Sequence, residues 1–579
     1  MSPILDLRHG DADDNRTSPH GRGWRGMLIS TALESNYLAA SIAFVALIIV
    51  PALLVGLAPP LLLTYGRSKL DALAMAGRHP FLAAFSVTAL IAGALWIGKP
   101  LLRRAVENLW HLHYTLVFPI FVVLRETISS LIERLSSVAP IASASLDRRR
   151  RLGTVLAAAL MAGGGLLLAY SVGVLASPGL ADVVMQPWAV ARAGFSNAAM
   201  FLGLSTAAAS LYWLYREVGA IRPLRDWSPA PALGNAPVVR FAHLSDLHLV
   251  GERYGYRMEC GTDGPRGNHR MRHALRKLSA IHAATPLQGV LVTGDVTDAG
   301  TRSEWAAFLD LLRGYPDIRS RLLFVPGNHD VNIVDRTNTG RFDVPWSVGF
   351  ALRRMRFLVA LDAIQGERVH IIDRASRKLG PTLRDYLQMG DRPARLRGLA
   401  ERGTWRGRWE IAKVWEEVFP LVVPPSAADG CGVILLDSNA RSHFSATNAI
   451  GVVGRSQIAG LKAILNASPD RAWIVLLHHH VVEYPVGSVK LSDRIALSLM
   501  NAPDVLSAIS KHASHVVVFH GHRHHEWIGT SGGIVLCSAP SVELGSVGAD
   551  LYRGSFHVNE LALTGDGGLR LMSSERVTV

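Results

Sequence analysis

Two hydrophobic rhythms divide the chain near residue 215. The first part carries long uncharged runs, and a bilayer core of about 30 Å takes about 20 apolar helical residues. Four runs of that order are Ser35–Gly66, Pro80–Gly98, Leu152–Ala181 and Ala193–Tyr215. Pro51, Pro59 and Pro60 interrupt the first, which narrows its predicted span to Tyr37–Leu57. The polar segment before it and the several spans after it speak for retained helices rather than a cleaved leader. A shorter uncharged segment, Asn108–Leu124, holds two histidines and Pro119 and is flanked by Arg103, Arg104 and Arg125. Its length and its Trp110 and Tyr114 suit a membrane interface better than a span.

Past Tyr215 the pattern changes. Residues 216–237 are rich in Pro, Ala and charge and read as a linker. Short, often β-branched runs follow, each ending in Asp, His, Asn or Gly: Val238–Leu244, Gly289–Thr293, Leu322–Pro326, Val433–Leu436, Trp473–Leu477 and Val516–Phe519. Met271–Ala284, Ser303–Arg313 and Arg455–Leu465 between them have helical spacing. Buried strands with polar C-terminal ends are how layered α/β folds place a site, so six endings are expected to converge on one edge.

Charge and composition refine this picture. Sixty Lys and Arg against 46 acidic residues give a net charge of +14, which suits phosphate esters, nucleic acid or anionic lipid. The basic residues concentrate before Ser35, between Lys99 and Arg151, and after Arg216, whereas Ser177–Gln186 has none. The positive-inside rule then makes the protein a multi-pass inner-membrane protein with both termini and the C-terminal domain cytoplasmic. Gly165, Ala169, Gly173 and Ser177 form a small-residue stripe in the third run, which fits packing within the chain better than a homodimer. No charge lies inside an expected span, so no ion pathway is indicated. Only three cysteines occur, Cys260, Cys431 and Cys537, too few for a disulfide framework or a Cys-based zinc site.

The strand endings share one chemistry. Asp246 and His248 can address one ion where the first strand ends. Asp295 follows Gly294, whose bare backbone allows close approach, and its carboxylate can bridge two cations. Asn328 offers an amide oxygen, and His478, His522 and His524 offer imidazoles. Seven N/O ligands and one shareable carboxylate describe a dinuclear centre, able to generate hydroxide at neutral pH and to hold both oxygens of an in-line displacement at phosphorus. His243 is expected to be a core histidine, His479, His480 and His525 to be bystanders, and His479 is the alternative to His478 as a ligand.

In order, Ser-Asp-Leu-His at 245–248, Gly-Asp-Val-Thr-Asp at 294–298, Gly-Asn-His-Asp at 327–330, the histidine run at 478 and Gly-His-Arg-His at 521–524 resemble the five blocks of the calcineurin-like metallophosphoesterases. The resemblance covers residues 238–579 and is nearest the cyclic-nucleotide-phosphodiesterase-like branch, through Asp437–Asn439 and the stretch that follows. Asp298-Ala299-Gly300 departs from the Asp-Arg-Gly of the Ser/Thr protein phosphatases, and His329 stands where lipid A precursor hydrolases tend to have arginine. The resemblance implies a four-layer α/β/β/α sandwich and two divalent or mixed-valence ions of Mn, Fe or Zn. It implies that Asp246, His248, Asp295 and His524 hold one ion and Asp295, Asn328, His478 and His522 the other. His329 would protonate the leaving oxygen with Asp330 orienting its ring.

The expected layout is a segment 1–34, a transmembrane region 35–215 with a cytoplasmic segment 99–151, the linker 216–237, and a catalytic domain 238–579 with a helical insert at about 331–430. Residues 335–425 hold 17 basic and 11 acidic residues, with Trp346, Trp405, Trp409 and Trp415, and read as a cap over the metals. The expected activity is hydrolysis of a cyclic nucleotide or other small phosphodiester. Alternatives are a lipid-linked phosphate or pyrophosphate ester, and a metal-binding membrane sensor without turnover. Nucleic acid is disfavoured as a partner because no RNA-reading motif is present.

Overall fold

The computed structural model describes residues 4–7, 45, 49–50, 53, 56–57, 107, 110–111, 113–136, 146–175, 187–220, 223–229, 236–257, 260, 264–332, 348–373, 376–425, 430–440, 449–484, 497–546 and 550–579. They fall into two compact units, 37–221 and a second comprising 1–36 with 222–579. The expected span Pro80–Gly98 lies outside the described residues, as do all but a few positions of Ser35–Gly66, together with Trp346 and Ser177.

In the first unit, α1 (Phe118–Ser136) is preceded by a π-helical turn at His113–Val117, and α2 (Leu146–Leu175) and α3 (Pro187–Ala220) follow. Among the described residues, three stretches are long and apolar enough to cross a membrane, by length and composition: His113–Ile132, Arg148–Gly173 and Trp188–Gly219. The first overlaps Asn108–Leu124, which the sequence places at an interface, and its length and composition also allow a span. Pro119 sits in the first turn of α1, where a missing N–H costs nothing, and the helix runs on past Arg125. Arg125 is paired there with Glu126 at 2.9 Å and with Glu217 of α3, so charge does lie within these helices. The small-residue stripe is used inside the chain. A Cβ on Gly165 would come within 2.5 Å of the Gly203 carbonyl, and one on Gly203 within 2.5 Å of the Gly165 carbonyl.

The second unit is an α/β domain with two mixed sheets. Its strands are β1 (Leu224–Asp226), β2 (Val238–Leu244), β3 (Gly289–Val292), β4 (Leu322–Phe324), β5 (His370–Ile372), β6 (Leu379–Thr382), β7 (Leu421–Val423) and β8 (Cys431–Leu435). They continue with β9 (Ala472–Leu476), β10 (Val516–His520), β11 (Trp527–Ser531), β12 (Ile534–Ser538), β13 (Gly545–Ser546), β14 (Asp550–Leu551), β15 (Ser555–Leu563) and β16 (Leu569–Thr578). One sheet has the order β16-β15-β2-β3-β4, the other β1-β11-β12-β10-β9-β8-β7-β5-β6, and β13-β14 form a separate pair.

The six expected strands are all present, but they are divided. Parallel β2, β3 and β4 sit in the first sheet, and parallel β8, β9 and β10 in the second. Within each triplet the register is aligned: Leu244 lies beside Val292 and Val292 beside Phe324, while Leu435 lies beside Leu476 and Leu476 beside Phe519. Polar residues that follow each strand are therefore delivered at matching heights. A shared apolar core joins the sheets, with His243 of β2 against Phe519 of β10 at 4.9 Å between ring centroids.

Two expectations about the flanks are corrected. The insert is not purely helical, because β7, β5 and β6 extend the second sheet beyond β8. Its helix α4 (Val348–Gln365) is buried along nearly its whole length, Arg353, Arg354 and Arg356 included. Phe357 of α4 meets Trp305, Phe324 and Trp415 at 5.4–5.7 Å, so this part of the insert is core. The linker is likewise partly structure: β1 pairs with β11, and Trp527 donates to Asp226 at 3.1 Å. The N-terminal segment also joins this unit, since Ile4 and Leu7 belong to its core and Arg302 donates to the Leu7 carbonyl at 3.3 Å. Leu7→Ala should remove about 2–5 kcal/mol of packing, enough to undock the segment. Limited proteolysis should then clip residues before 10 faster, with the rest of the cleavage pattern unchanged.

Candidate metal centre

The site begins where the strands stop. Beyond β2 and β3 the two chains stay zipped: Asp246 N donates to Gly294 O at 3.2 Å, His248 N to Asp295 O at 2.9 Å and Leu249 N to Val296 O at 2.9 Å. Asp246, His248, Asp295, His522 and His524 all have positive φ, between 43° and 75°. Asp and His enter this left-handed region more readily than most residues, yet each such position is strained by about 1–3 kcal/mol. The turn it creates lets residues one apart, Asp246 and His248 or His522 and His524, face the same point.

All nine expected site residues are less than a tenth exposed. Asp246 Oδ1 lies 3.4 Å from His524 Nε2, and His524 Nε2 lies 3.1 Å from His248 Nε2. Asp295 Oδ2 lies 3.3 Å from His478 Nε2, which is 3.0 Å from Asn328 Oδ1 and 3.1 Å from His522 Nδ1. The backbone N–H of His522 donates to Asp246 Oδ2 at 3.1 Å and ties the two groups together. His478 Nδ1 faces the Thr293 carbonyl at 2.8 Å, which makes Nε2 the free donor atom. His479 instead turns its Nδ1 to Ser438 Oγ at 2.9 Å, leaving His478 as the histidine beside Asp295 and Asn328.

Imidazole nitrogens facing each other at 3.1 Å repel unless a proton or cation lies between them, and two such pairs occur here. Asp246 Oδ1 accepts no hydrogen bond. This donor set, all oxygen and imidazole, fits a pair of divalent ions. The electrostatics agree. Burial holds His522 well below the ordinary histidine range, and the neighbouring histidines add to this, so its neutral, ligating form is favoured. Burial also opposes charge on His478, but the Asp295 carboxylate overrides it and pushes the imidazole up to about 9. Asp295 itself is held below the usual carboxylate range, because His478, His329 and His248 outweigh its burial.

His329 sits beside this centre, its ring 4.6 Å from that of His248 and its backbone N–H donating to Asp295 Oδ1 at 2.8 Å. The orienting role expected of Asp330 falls on another group. His329 Nδ1 bonds the backbone carbonyl of Asp298 at 2.7 Å. Asp330 gathers the loops instead: Oδ2 accepts from Gly327 N at 3.0 Å and Val296 N at 3.3 Å, and Oδ1 from Thr297 N at 2.9 Å and its hydroxyl at 2.7 Å. Its position next to His329 in sequence concealed this, because the backbone of the short turn points its carboxylate the other way.

Sequence reasoning also assigned no role to the block at 437–439. Ser438 Oγ accepts from His478 N at 3.2 Å and His479 N at 3.1 Å. Asp437 accepts from Trp415 Nε1 at 2.8 Å and from Asn439, whose amide reaches the Pro326 carbonyl at 3.0 Å. The signal was present as Asp-Ser-Asn at a strand end, the same grammar as the ligand blocks. Of the bystanders, His243 bonds Thr293 Oγ1 at 3.0 Å and His480 faces Glu483 at 3.3 Å.

The model of the calcineurin-like phosphoesterases matches residues 239–526, which contain all nine site residues. The C-terminal region belongs to that family. Among curated proteins, a probable cyclic nucleotide phosphodiesterase of Coxiella burnetii is 31% identical over 99 residues, 17% of this chain. The match covers 35% of that relative's length. Similar solved structures include a dimetal phosphatase from Danio rerio, 15% identical, with 59% of this chain and 99% of that one covered at a TM-score of 0.34. A purple acid phosphatase from yellow lupin is 12% identical, with 60% and 55% covered at a TM-score of 0.31.

Asp295 borders both groups, through its carboxylate to His478 and its carbonyl to the His248 N–H, and is the candidate shared ligand. Asp295→Asn should therefore weaken both ions, by more than the roughly 10–100-fold seen when an outer-sphere partner is lost. Metal analysis after dialysis would show it. A second test concerns Glu304, which caps α5 (Arg302–Arg313) and accepts from Ala299 N at 3.0 Å and Thr301 N at 2.9 Å, just behind Asp298. Burial pushes its carboxyl up to about 7, with Asp298 adding to the shift. The folded state keeps this proton up to about pH 7, whereas an ordinary glutamate releases it near 4.3. Stability is therefore lost as pH rises through that window, by roughly 3 kcal/mol. Glu304→Gln keeps the acceptor and should flatten the fall in melting temperature between pH 4.5 and 7.

Proposed function

We propose that this chain is a membrane-anchored, two-metal phosphoesterase whose substrate is a cyclic nucleotide or another small phosphodiester. The observation that carries the reading is the junction at Asp295. One carboxylate oxygen faces the His478, Asn328 and His522 group, the other takes the His329 backbone N–H, and the Asp246, His248 and His524 group adjoins it. Asp246, His248, Asp295 and His524 would hold one ion, and Asp295, Asn328, His478 and His522 the other. Mn, Fe and Zn all suit these ligands. When bound, the ions supply Lewis acidity for the phosphoryl oxygens and lower the pKa of water.

The chain's own contribution is proton placement and shape. With Nδ1 of His329 committed to the Asp298 carbonyl, Nε2 is the atom that carries a proton to the leaving oxygen. Asp330, by pinning the amides of residues 296, 297 and 327, holds the turn that presents this ring. The relative from Coxiella burnetii supports a cyclic nucleotide as substrate, and the family resemblance supports a four-layer α/β/β/α arrangement of helices and sheets. We place the catalytic unit on the cytoplasmic face of the inner membrane, following the basic segments such as Arg148–Arg151. A lipid-linked phosphate ester is the second reading. It is favoured by the exposed Trp405 and Trp409 of the insert and by the three apolar helices.

His329→Ala separates turnover from metal binding. Metal content should stay at the parent value while turnover of a cyclic nucleotide or alkyl diester falls roughly 10²- to 10⁴-fold. A nitrophenyl ester, whose leaving group needs little protonation, should lose less. Full turnover of the alkyl diester by this variant would remove His329 from the role. A parent protein that binds two ions and hydrolyses none of a panel of monoesters, linear diesters, cyclic nucleotides and lipid-linked esters would leave a sensor instead.

A further inference from the structure

The two strained ligands after β2 are each held by their carbonyl as well as by their side chain. Ser541 Oγ donates to the Asp246 carbonyl at 2.6 Å, and Arg257 Nε donates to the His248 carbonyl at 2.9 Å. Neither holder belongs to a ligand block, and they come from opposite ends of the domain's sequence. Glu543 joins them: its Oε2 lies 3.2 Å from Arg257 Nη2, with side chains 1% and 0% exposed. It is part of the Ser541 turn, whose hydroxyl also accepts from Glu543 N at 3.3 Å and Leu544 N at 2.9 Å. Val542 N donates to Ser245 O at 3.2 Å, which fixes the turn against the residue before Asp246.

Arg257 is spent completely on this task. Besides donating to the His248 carbonyl and pairing its charge with Glu543, its guanidinium donates to Pro265 O at 2.5 Å and Gly267 O at 2.6 Å. A buried guanidinium with every face occupied is expensive to install, and lysine has no fork with which to replace it. Glu543 accepts in addition from Met271 N at 3.2 Å. The held carbonyl fixes the peptide plane after each residue, the N–H bonds of Asp246 to Gly294 and of His248 to Asp295 fix the plane before it, and together they set both backbone angles. The φ of +52° at Asp246 and +43° at His248 are what aim both side chains at His524.

We propose that Arg257, Ser541 and Glu543 form a carbonyl clamp that positions Asp246 and His248 and thereby sets the affinity of one of the two ions, the one shared with His524. The proposal rests on the two-metal reading. It assigns the clamp no direct part in the second group, since Asn328 and His478 are anchored by Thr293, Ser438 and each other, and His522 is linked to the clamped residues through its N–H bond to Asp246 Oδ2.

The test is a cobalt(II) titration of the full-length protein, followed by absorption and by equilibrium dialysis, on the parent and on Arg257→Met, Ser541→Ala and Glu543→Gln. The parent should take up two ions. Arg257→Met and Ser541→Ala should each weaken one ion by about 10- to 100-fold, the size typical of a lost outer-sphere partner, and leave the other within about twofold. Glu543→Gln keeps an acceptor for Met271 N and should give a smaller shift of the same ion. Melting of the metal-free proteins runs alongside. Two ions bound with parent affinity, with only the melting temperature lowered, would reduce the clamp to a structural feature and overturn the proposal, as would equal weakening of both ions. If Arg257→Met does not fold, Ser541→Ala, which deletes a single hydroxyl, decides alone. A parent that binds no pair of ions would overturn the two-metal reading and the clamp with it, whereas failure in the variants alone overturns only the clamp.

Discussion

The close approach of two turns, at Gly294-Asp295 and at Gly327, is the constraint from which the rest of the centre follows. A Cβ at Gly327 would overlap the Asp295 carboxylate, and one at Gly294 would lie 2.6 Å from His478 Nδ1 and 2.9 Å from Gly327 Cα. Only with both side chains absent can a buried carboxylate sit between the histidine-bearing end of one sheet and the Asn-His-Asp turn of the other. Asp295 also enters this gap with a φ of +49° and Gly294 with +93°, so the turn itself must be left-handed. Removing a carboxylate from water is tolerable because the space around it is lined by the His329 N–H, His478 and the cation-binding set. Packing, backbone conformation and charge are therefore one problem at this position.

Much of this was legible because strand ends have a grammar. A short apolar run, often β-branched, followed within about four residues by Asp, His or Asn is a good ligand platform, and β2, β3, β4, β8, β9 and β10 all follow it. What sequence concealed were the groups that act through their backbone or through distant partners. The Asp298 carbonyl holds His329, a role that any residue could fill and that no side chain announces. Asp330 was expected at the ring because it is adjacent in sequence, but a one-turn helix at 328–331 points its carboxylate at the amides of the facing loop. Arg257 and Glu543 lie outside every recognisable block, 286 positions apart, and only the fold brings them together.

The insert and the helical unit show the same limit from the other side. Counting charge over residues 335–425 suggested a basic cap over the metals, yet Arg353, Arg354 and Arg356 are buried in α4 and Arg354 stacks over Phe350 and Trp415. A guanidinium can lie flat on aromatic rings, so a basic count alone does not mark a surface. In the helices, the uncharged window ended at Arg125 because the rule counts charges singly. Arg125 is paired with Glu217, 92 residues away, and a paired charge does not end an apolar helix.

The pairing of His478 with Asp295 carries a final consequence. Without a cation, the burial that should keep His478 neutral is outweighed by the carboxylate, and the imidazole holds its proton up to about pH 9. That proton occupies the same face, Nε2, that turns toward Asp295 Oδ2, Asn328 Oδ1 and His522 Nδ1. A cation bound there and the proton would be alternative ways to satisfy one buried negative charge, and loading at neutral pH would exchange the second for the first. His522 contributes no such competition, because burial, reinforced by its histidine neighbours, already keeps it neutral. The same carboxylate therefore holds His478 in place through a proton, in the position from which the proposed ion would displace it.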